Sequence, residues 1–275
     1  MSETAVRLLI PDECALRLVD PQAGLAFGVG SIDRQMFPNN VIALAKTARA
    51  LGLPIVVSTS ATKVYSGPLM PAIHAALPGV VSLERRNMNV WEDEAARNAI
   101  LKTGRRRLIV SGLLTEACVT FSVLSAIEAG LEVYGVGDAC GGLTPASYDL
   151  ALRRMEAAGA RITSWIQVLL ELQRDWTRHA TYDQVRAIVE THGGGYRIGL
   201  AYARGMIHPT SAFRLCWPGC ASSWSSNQTP LALMRRASGQ WAAKLRVSSS
   251  PMVRGCAATS RVWPGTTPVA ATMSP

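Results

Sequence analysis

Short apolar runs alternate with helical patterns over the first 180 residues, and this rhythm confines the chain to a layered α/β fold. Residues 15–20 (Ala15-Leu16-Arg17-Leu18-Val19-Asp20), 54–58, 80–83, 107–112, 131–137 and 160–164 read as strands. Near-continuous apolar runs of this kind belong to strands buried on both faces. Helical patterns follow over 39–51, 92–103, 118–129, 144–158 and 165–176. In the first of them Val41, Leu44, Ala45, Ala48 and Leu51 form one stripe, Asn39 is placed to cap it and Gly52 to stop it. Glu92, Asp93 and Glu94 open the second as the helix dipole prefers, and Thr144-Pro145 opens the fourth. Six strands in this rhythm predict a mostly parallel six-stranded sheet covered on both faces. Right-handed crossovers then bring every strand's carboxyl end to one edge.

Chemistry in open α/β sheets collects outside those carboxyl ends. Asp20 ends the first strand, and Pro21-Gln22-Ala23-Gly24 breaks it. Cys118 follows the run Leu108 to Leu113 and is expected to open the helix 118–129. Unpaired N–H groups and the dipole at a helix start favour an anion, so the thiol pKa is expected to be lowered. Topology brings Asp20 and Cys118 together although the chain separates them widely. Each has a plainer reading: Asp is a common turn residue, and a free Cys packs as a small hydrophobe. Arg85 and Arg86, after the third strand, offer a cation to the same edge, though an arginine pair is more often solvated surface.

Several segments in one order resemble the isochorismatase-like cysteine hydrolases, in particular the YcaC-type branch. They are Leu18-Val19-Asp20-Pro21-Gln22-Ala23-Gly24-Leu25, Glu84-Arg85 with Met88-Asn89-Val90-Trp91-Glu92-Asp93, and Ser111-Gly112-Leu113-Leu114-Thr115-Glu116-Ala117-Cys118-Val119. Ser125 to Gly130, Asp138-Ala139 with Gly141-Gly142, and Arg174-Asp175-Trp176 also match. The resemblance covers about residues 5–205. It implies a Rossmann-like three-layer α/β/α domain, higher homo-oligomers, and an Asp–Lys–Cys triad.

Asp20 matches the triad's base and Cys118 its nucleophile, while Arg85 stands in the lysine's neighbourhood, with Arg86 as the competing assignment. Arginine keeps the charge but does not readily give up a proton. The resemblance also implies oxyanion-binding N–H groups near Leu114 and Cys118, and makes Leu114–Thr115 the candidate for a cis peptide. Gln22, Phe27, Trp91 and Phe121, with Thr115, are candidates for an apolar-aromatic substrate lining. The expected function is hydrolysis of a C–N bond in a small amide-like molecule through a thiol-acyl intermediate. The alternative is an oligomeric scaffold or binding protein of the same fold with weakened turnover.

Metal-using relatives carry a histidine-bearing motif near the first strand. The four histidines, His74, His179, His192 and His208, lie away from Asp20 in sequence, so no metal and no other cofactor is expected. Gly28-Val29-Gly30 lacks the third glycine of a dinucleotide site. Residues 1–190 carry 19 basic and 19 acidic side chains, whereas 191–275 hold 9 basic residues and no acid, so the net charge of +9 belongs to the C-terminal part. Residues 1–205 therefore read as the hydrolase domain. Residues 206–275, rich in Ser, Pro and Thr, read as a basic, disordered extension, the one place where nucleic acid would bind. Cys216 and Cys220 beside His208 are too poorly spaced for zinc. No run of 18 apolar residues predicts a membrane span, Met1 to Thr4 does not start a secretory signal, and unpaired cysteines suit a cytoplasmic setting.

Overall fold

The computed structural model describes residues 8–207. Its sheet holds six strands: β1 (Cys14–Val19), β2 (Ile55–Ser60), β3 (Ser82–Arg85), β4 (Arg107–Leu113), β5 (Glu132–Gly141) and β6 (Arg161–Thr163). Their spatial order is β3-β2-β1-β4-β5-β6, and every pairing is parallel. The order reverses between β1 and β4, so the crevice at their carboxyl ends is the place where such sheets bind ligands.

The helices are α1 (Ala23–Phe27), α2 (Met36–Ala50), α3 (Pro71–Ala76), α4 (Glu94–Leu101), α5 (Thr120–Glu128), α6 (Pro145–Ala157), α7 (Trp165–Gln173), α8 (His179–His192) and α9 (Gly195–Ile207). They cover two apolar layers, as alternation along β1 requires. Leu16 and Leu18 join α2, α7 and α8 through Leu44, Leu169 and Val189. Ala15 and Val19 join α4, α5 and α6 through Ile100, Val123 and Met155. No helix among the described residues is long and apolar enough to cross a membrane.

Asp93 caps α4 by accepting from Ala96 N at 2.9 Å, and Thr144 caps α6 with Pro145 in its first turn. The expected cap at Asn39 is not there: α2 begins at Met36, and Asn39 and Asn40 lie inside it. Their amides are used across the fold instead, Asn40 donating to the Asp138 carbonyl at 2.6 Å and Asn39 to that of His192 at 3.2 Å. Strand β5 continues past the expected end at 137, which puts Asp138 inside it, its carboxylate accepting from Trp165 N at 2.8 Å.

Helix α8 has only three buried anchors in fourteen residues, Val185, Ile188 and Val189, and its helical pattern is correspondingly faint in the sequence. Helix α9 runs to Ile207, so the expected domain end at 205 falls within a helix. The remainder of the expected extension, 208–275, lies outside the described residues.

Candidate active site

Asp20 follows the last residue of β1, has φ of +47°, and is completely buried. Ser58 and Ser60, alternate residues at the carboxyl end of neighbouring β2, reach the same carboxylate. Ser58 Oγ donates to Oδ1 at 2.8 Å and Ser60 Oγ to Oδ2 at 2.9 Å. Arg85, the last residue of β3, donates from Nη2 to Oδ2, forming an ion pair with neither side chain exposed. Its Nε makes a longer contact to Ser58 Oγ at 3.4 Å. Three adjacent strands thus assemble one carboxylate site. Arg86, the competing assignment, is exposed. A carboxylate offers about two lone-pair positions on each oxygen. Oδ2 is filled by Ser60 and Arg85, so the remaining capacity lies on Oδ1.

Cys118 does not open a helix. Thr115–Val119 forms a single π-turn between β4 and α5, and Cys118 is its fourth residue. The Ala117 and Val119 N–H groups both go to the Leu114 carbonyl at 3.2 Å. Asp20 and Arg85 are the charged groups that act on the thiol. The expected lowering of its pKa is therefore reversed. Burial pushes the thiol above its ordinary value and the Asp20 carboxylate pushes the same way, with Arg85 opposing both. Cys118 thus rests as a neutral thiol beside a base. Cys14 and Cys140 are fully buried, and burial raises their thiols to about 11 and about 12. Among the described cysteines, Cys118 alone combines partial exposure with two charged neighbours.

Removing Arg85 would leave Asp20 buried and unpaired. Arg85→Ala is expected to lose about 3–5 kcal/mol of stability and to move Cys118 alkylation to higher pH. An unchanged pH profile would reject Arg85 as the thiol's partner.

The expected substrate residues divide. Gln22 is buried with three of its four amide hydrogen-bonding positions used: Nε2 donates to the Ser60 and Gly67 carbonyls, and Oε1 accepts from Ser60 N at 2.8 Å. It braces the loop around Asp20, which leaves a ligand the second lone pair of Oε1. Phe27 is 76 % exposed and lines an apolar cavity of about 240 Å³ with Ala26, Val29 and Phe37, in which Asp20, Arg85 and Cys118 take no part. Trp91 and Phe121 are half-buried. The turn that carries Trp91 is tied to α5 by Asn89 Nδ2 donating to Ser125 Oγ at 3.0 Å. Thr115 is buried, and its carbonyl accepts from Thr120 Oγ1 at 2.5 Å. The cis peptide is Leu113–Leu114, not Leu114–Thr115: β4 ends at Leu113 and the chain turns one residue earlier.

Three contributors were not singled out from the sequence. Ser58 and Ser60 could have been found as alternate polar residues at the functional end of an apolar strand. Glu116 lies on the turn that holds Cys118. Its Oε1 accepts from Leu143 N at 2.7 Å and from Ser147 Oγ at 2.5 Å, tying that turn to the start of α6. Among the described residues no group of three or more His, Cys, Asp or Glu side chains is arranged to hold a metal ion.

The Isochorismatase domain model matches residues 14–167. A YcaC protein of Escherichia coli (strain K12), described as a probable hydrolase, is 40% identical over 177 residues, covering 64% of this chain and 85% of its own. The crystal structure of the Escherichia coli YcaC gene product, described as an octameric hydrolase of unknown specificity, superposes with a TM-score of 0.69 at 36% identity. It covers 73% of this chain and 98% of its own. YcaC from Pseudomonas aeruginosa, solved with hexane-2,5-diol and covalent acrylamide, gives a TM-score of 0.69 at 37% identity with the same coverage.

Proposed function

The chain belongs to the isochorismatase family, and within it we propose a cysteine hydrolase that opens a C–N bond of a small amide-like molecule. The observation that carries the reading is the wholly buried Asp20–Arg85 pair beside Cys118, the one described cysteine with both solvent access and charged neighbours. Cys118 Sγ attacks the carbonyl carbon as its proton passes to Asp20. Collapse of the tetrahedral intermediate expels the nitrogen, which takes that proton back from Asp20. Asp20 then draws a proton from water, whose oxygen attacks the thioester; the acid is released and Sγ is reprotonated.

Arg85 stays charged throughout. It anchors the Asp20 carboxylate and favours the thiolate, so no proton need pass through it. This removes the difficulty of having arginine where the family pattern has lysine.

The experiment is a panel of small carboxamides assayed for ammonia or amine release. Turnover is expected in the full chain and not in Cys118→Ala; equal turnover in both would overturn the reading. The upward shift of the thiol favours a second reading, a scaffold with weakened turnover, for which no amide in the panel would be cleaved although Cys118 still alkylates.

The same family evidence supports a homo-oligomer, since the Escherichia coli relative is described as octameric. Phe27, Val64, Tyr65 and Leu143 are large, apolar and more than half exposed, which suits burial against another copy. Light scattering on the full chain is expected to give a mass of several copies; a monomer at micromolar concentration would contradict it.

A further inference from the structure

Glu116 is the second residue of the turn that carries Cys118. That turn is held from within and from the helix it leads into. The Ala117 and Val119 N–H groups share the Leu114 carbonyl. Thr120 Oγ1 donates to the Thr115 carbonyl and Ser122 Oγ to that of Cys118, both at 2.5 Å. These bonds shape the turn without fixing where it stands over the sheet. A tie to a separate part of the chain comes from the Glu116 side chain. Its Oε1 accepts from Leu143 N at 2.7 Å and from Ser147 Oγ at 2.5 Å. Oε2 is buried without a partner among the described residues, so the hydrogen-bonded hold of the carboxylate lies in one oxygen.

Gly142 makes room for that carboxylate: a Cβ there would stand 2.6 Å from Oε1 and 2.9 Å from Cδ and Oε2. The same glycine is pinned by the segment after α1. Its N–H donates to Ser31 Oγ at 2.8 Å, and its carbonyl accepts from Gly30 N at 3.0 Å and Ser31 N at 3.2 Å. Ser147 belongs to the cap of α6, its N–H donating to Thr144 Oγ1 at 3.1 Å. A carboxylate at the start of this helix also has the sign its dipole favours. The turn after β4 is thus fastened to the loop after β5, through backbone that is itself fastened.

We propose that Glu116 is a positioning residue for Cys118: its carboxylate, docked on Leu143 and Ser147, fixes the turn that keeps the thiol beside the Asp20–Arg85 pair. The proposal rests on the cysteine-hydrolase reading and adds to it a residue that acts through the turn, by mechanical hold. The charged groups that act on the thiol are Asp20, at the end of β1, and Arg85, at the end of β3. Burial and Asp20 push the thiol up where it stands. A thiol released from that place therefore titrates lower, nearer the ordinary value of about 8.5.

The test is the pH dependence of Cys118 alkylation by iodoacetamide in the full chain, located by peptide mapping, with turnover and melting temperature alongside. The variants are Glu116→Ala, Glu116→Gln and Ser147→Ala. Glu116→Ala is expected to move the profile to lower pH, with labelling below the midpoint roughly tenfold faster for each unit moved. It is also expected to lower kcat about a hundredfold, as a misplacement near 1 Å does, with KM little changed. Glu116→Gln loses the charge but keeps an acceptor oxygen at the same reach. It is expected to keep the wild-type profile, although its NH2 group lacks a partner where Oε2 lies and the melting temperature falls. Ser147→Ala keeps the charge and loses one of the two bonds, so a smaller shift in the direction of Glu116→Ala is expected. Gly130→Ala, destabilised by its own backbone at φ +85°, is expected to keep the wild-type profile. Equal shifts in Glu116→Ala and Glu116→Gln would mean that the carboxylate acts by its charge. An unchanged profile in Glu116→Ala, or an equal shift in Gly130→Ala, would remove the positioning role. Each of these overturns the proposal. Should Glu116→Ala fail to fold, Ser147→Ala decides, and a wild-type profile there overturns it. The titration reads the thiol's place whether or not an amide is cleaved. Failure of the hydrolase reading would show instead as absence of turnover in the wild type.

Discussion

Asp20→Asn is expected to stop amide turnover while making Cys118 easier to alkylate. The first effect is loss of the base, about a hundred- to ten-thousandfold. The second follows from sign: the Asp20 carboxylate pushes the thiol up, and an uncharged amide no longer does. Burial still raises the thiol and Arg85 still lowers it, so the balance moves toward the thiolate and the labelling profile moves to lower pH. Arg85 loses its counter-charge in a fully buried site, so a fall in thermal stability accompanies both. Iodoacetamide rates across pH, set beside ammonia release, separate the two effects. A profile that stays put or moves up would mean that Asp20 does not face the thiol.

Gly112→Ala is expected to damage the fold more than any other small substitution considered. Gly112 lies in β4 at φ +142°, opposite Val19 in the pairing with β1. A Cβ there would stand 1.8 Å from the Val19 carbonyl oxygen and 2.7 Å from its carbon. Both obstacles are backbone of the central strand one residue before Asp20, and neither can swing aside. The close approach of β1 and β4 at the crevice therefore depends on a missing side chain. Steric overlap adds to a backbone conformation that L-residues rarely adopt. A loss of more than about 4 kcal/mol is expected, or about 8–16 °C in a domain of this size. Gly130→Ala is the control: φ is +85° and nothing lies within 4 Å of the added carbon, so only the backbone penalty of about 1–3 kcal/mol applies. Equal melting temperatures for the two variants would contradict the account.

The sheet was legible because buried parallel strands leave continuous apolar runs. That rhythm alone carried Asp20 and Cys118 to one edge, where the structure places them. Arg85 was legible only through its neighbours in the family pattern, since an arginine pair alone looks like surface. Two features were misread because tertiary context decides them. The run after β4 has helical character, yet its first turn widens to a π-turn, so Cys118 does not sit at a helix start. The thiol was then expected to be acidic, whereas burial and the Asp20 carboxylate outweigh Arg85. Gln22 lies within a motif and resembles a ligand-binding amide, and the structure adds a bracing role that the motif did not show, three hydrogen bonds to backbone around Asp20.

The central claim is that Cys118 is the nucleophile and Asp20 its base. Quenching the full chain at short intervals after adding 4-nitrophenyl acetate, followed by intact mass and peptide mapping, tests it directly. One acetyl group on the Cys118 peptide is expected to appear and then decay in the wild type. No such species is expected in Cys118→Ala, and a slowed decay is expected in Asp20→Asn. Acetylation that spares Cys118, or nitrophenol release that survives unchanged in Cys118→Ala, would contradict it.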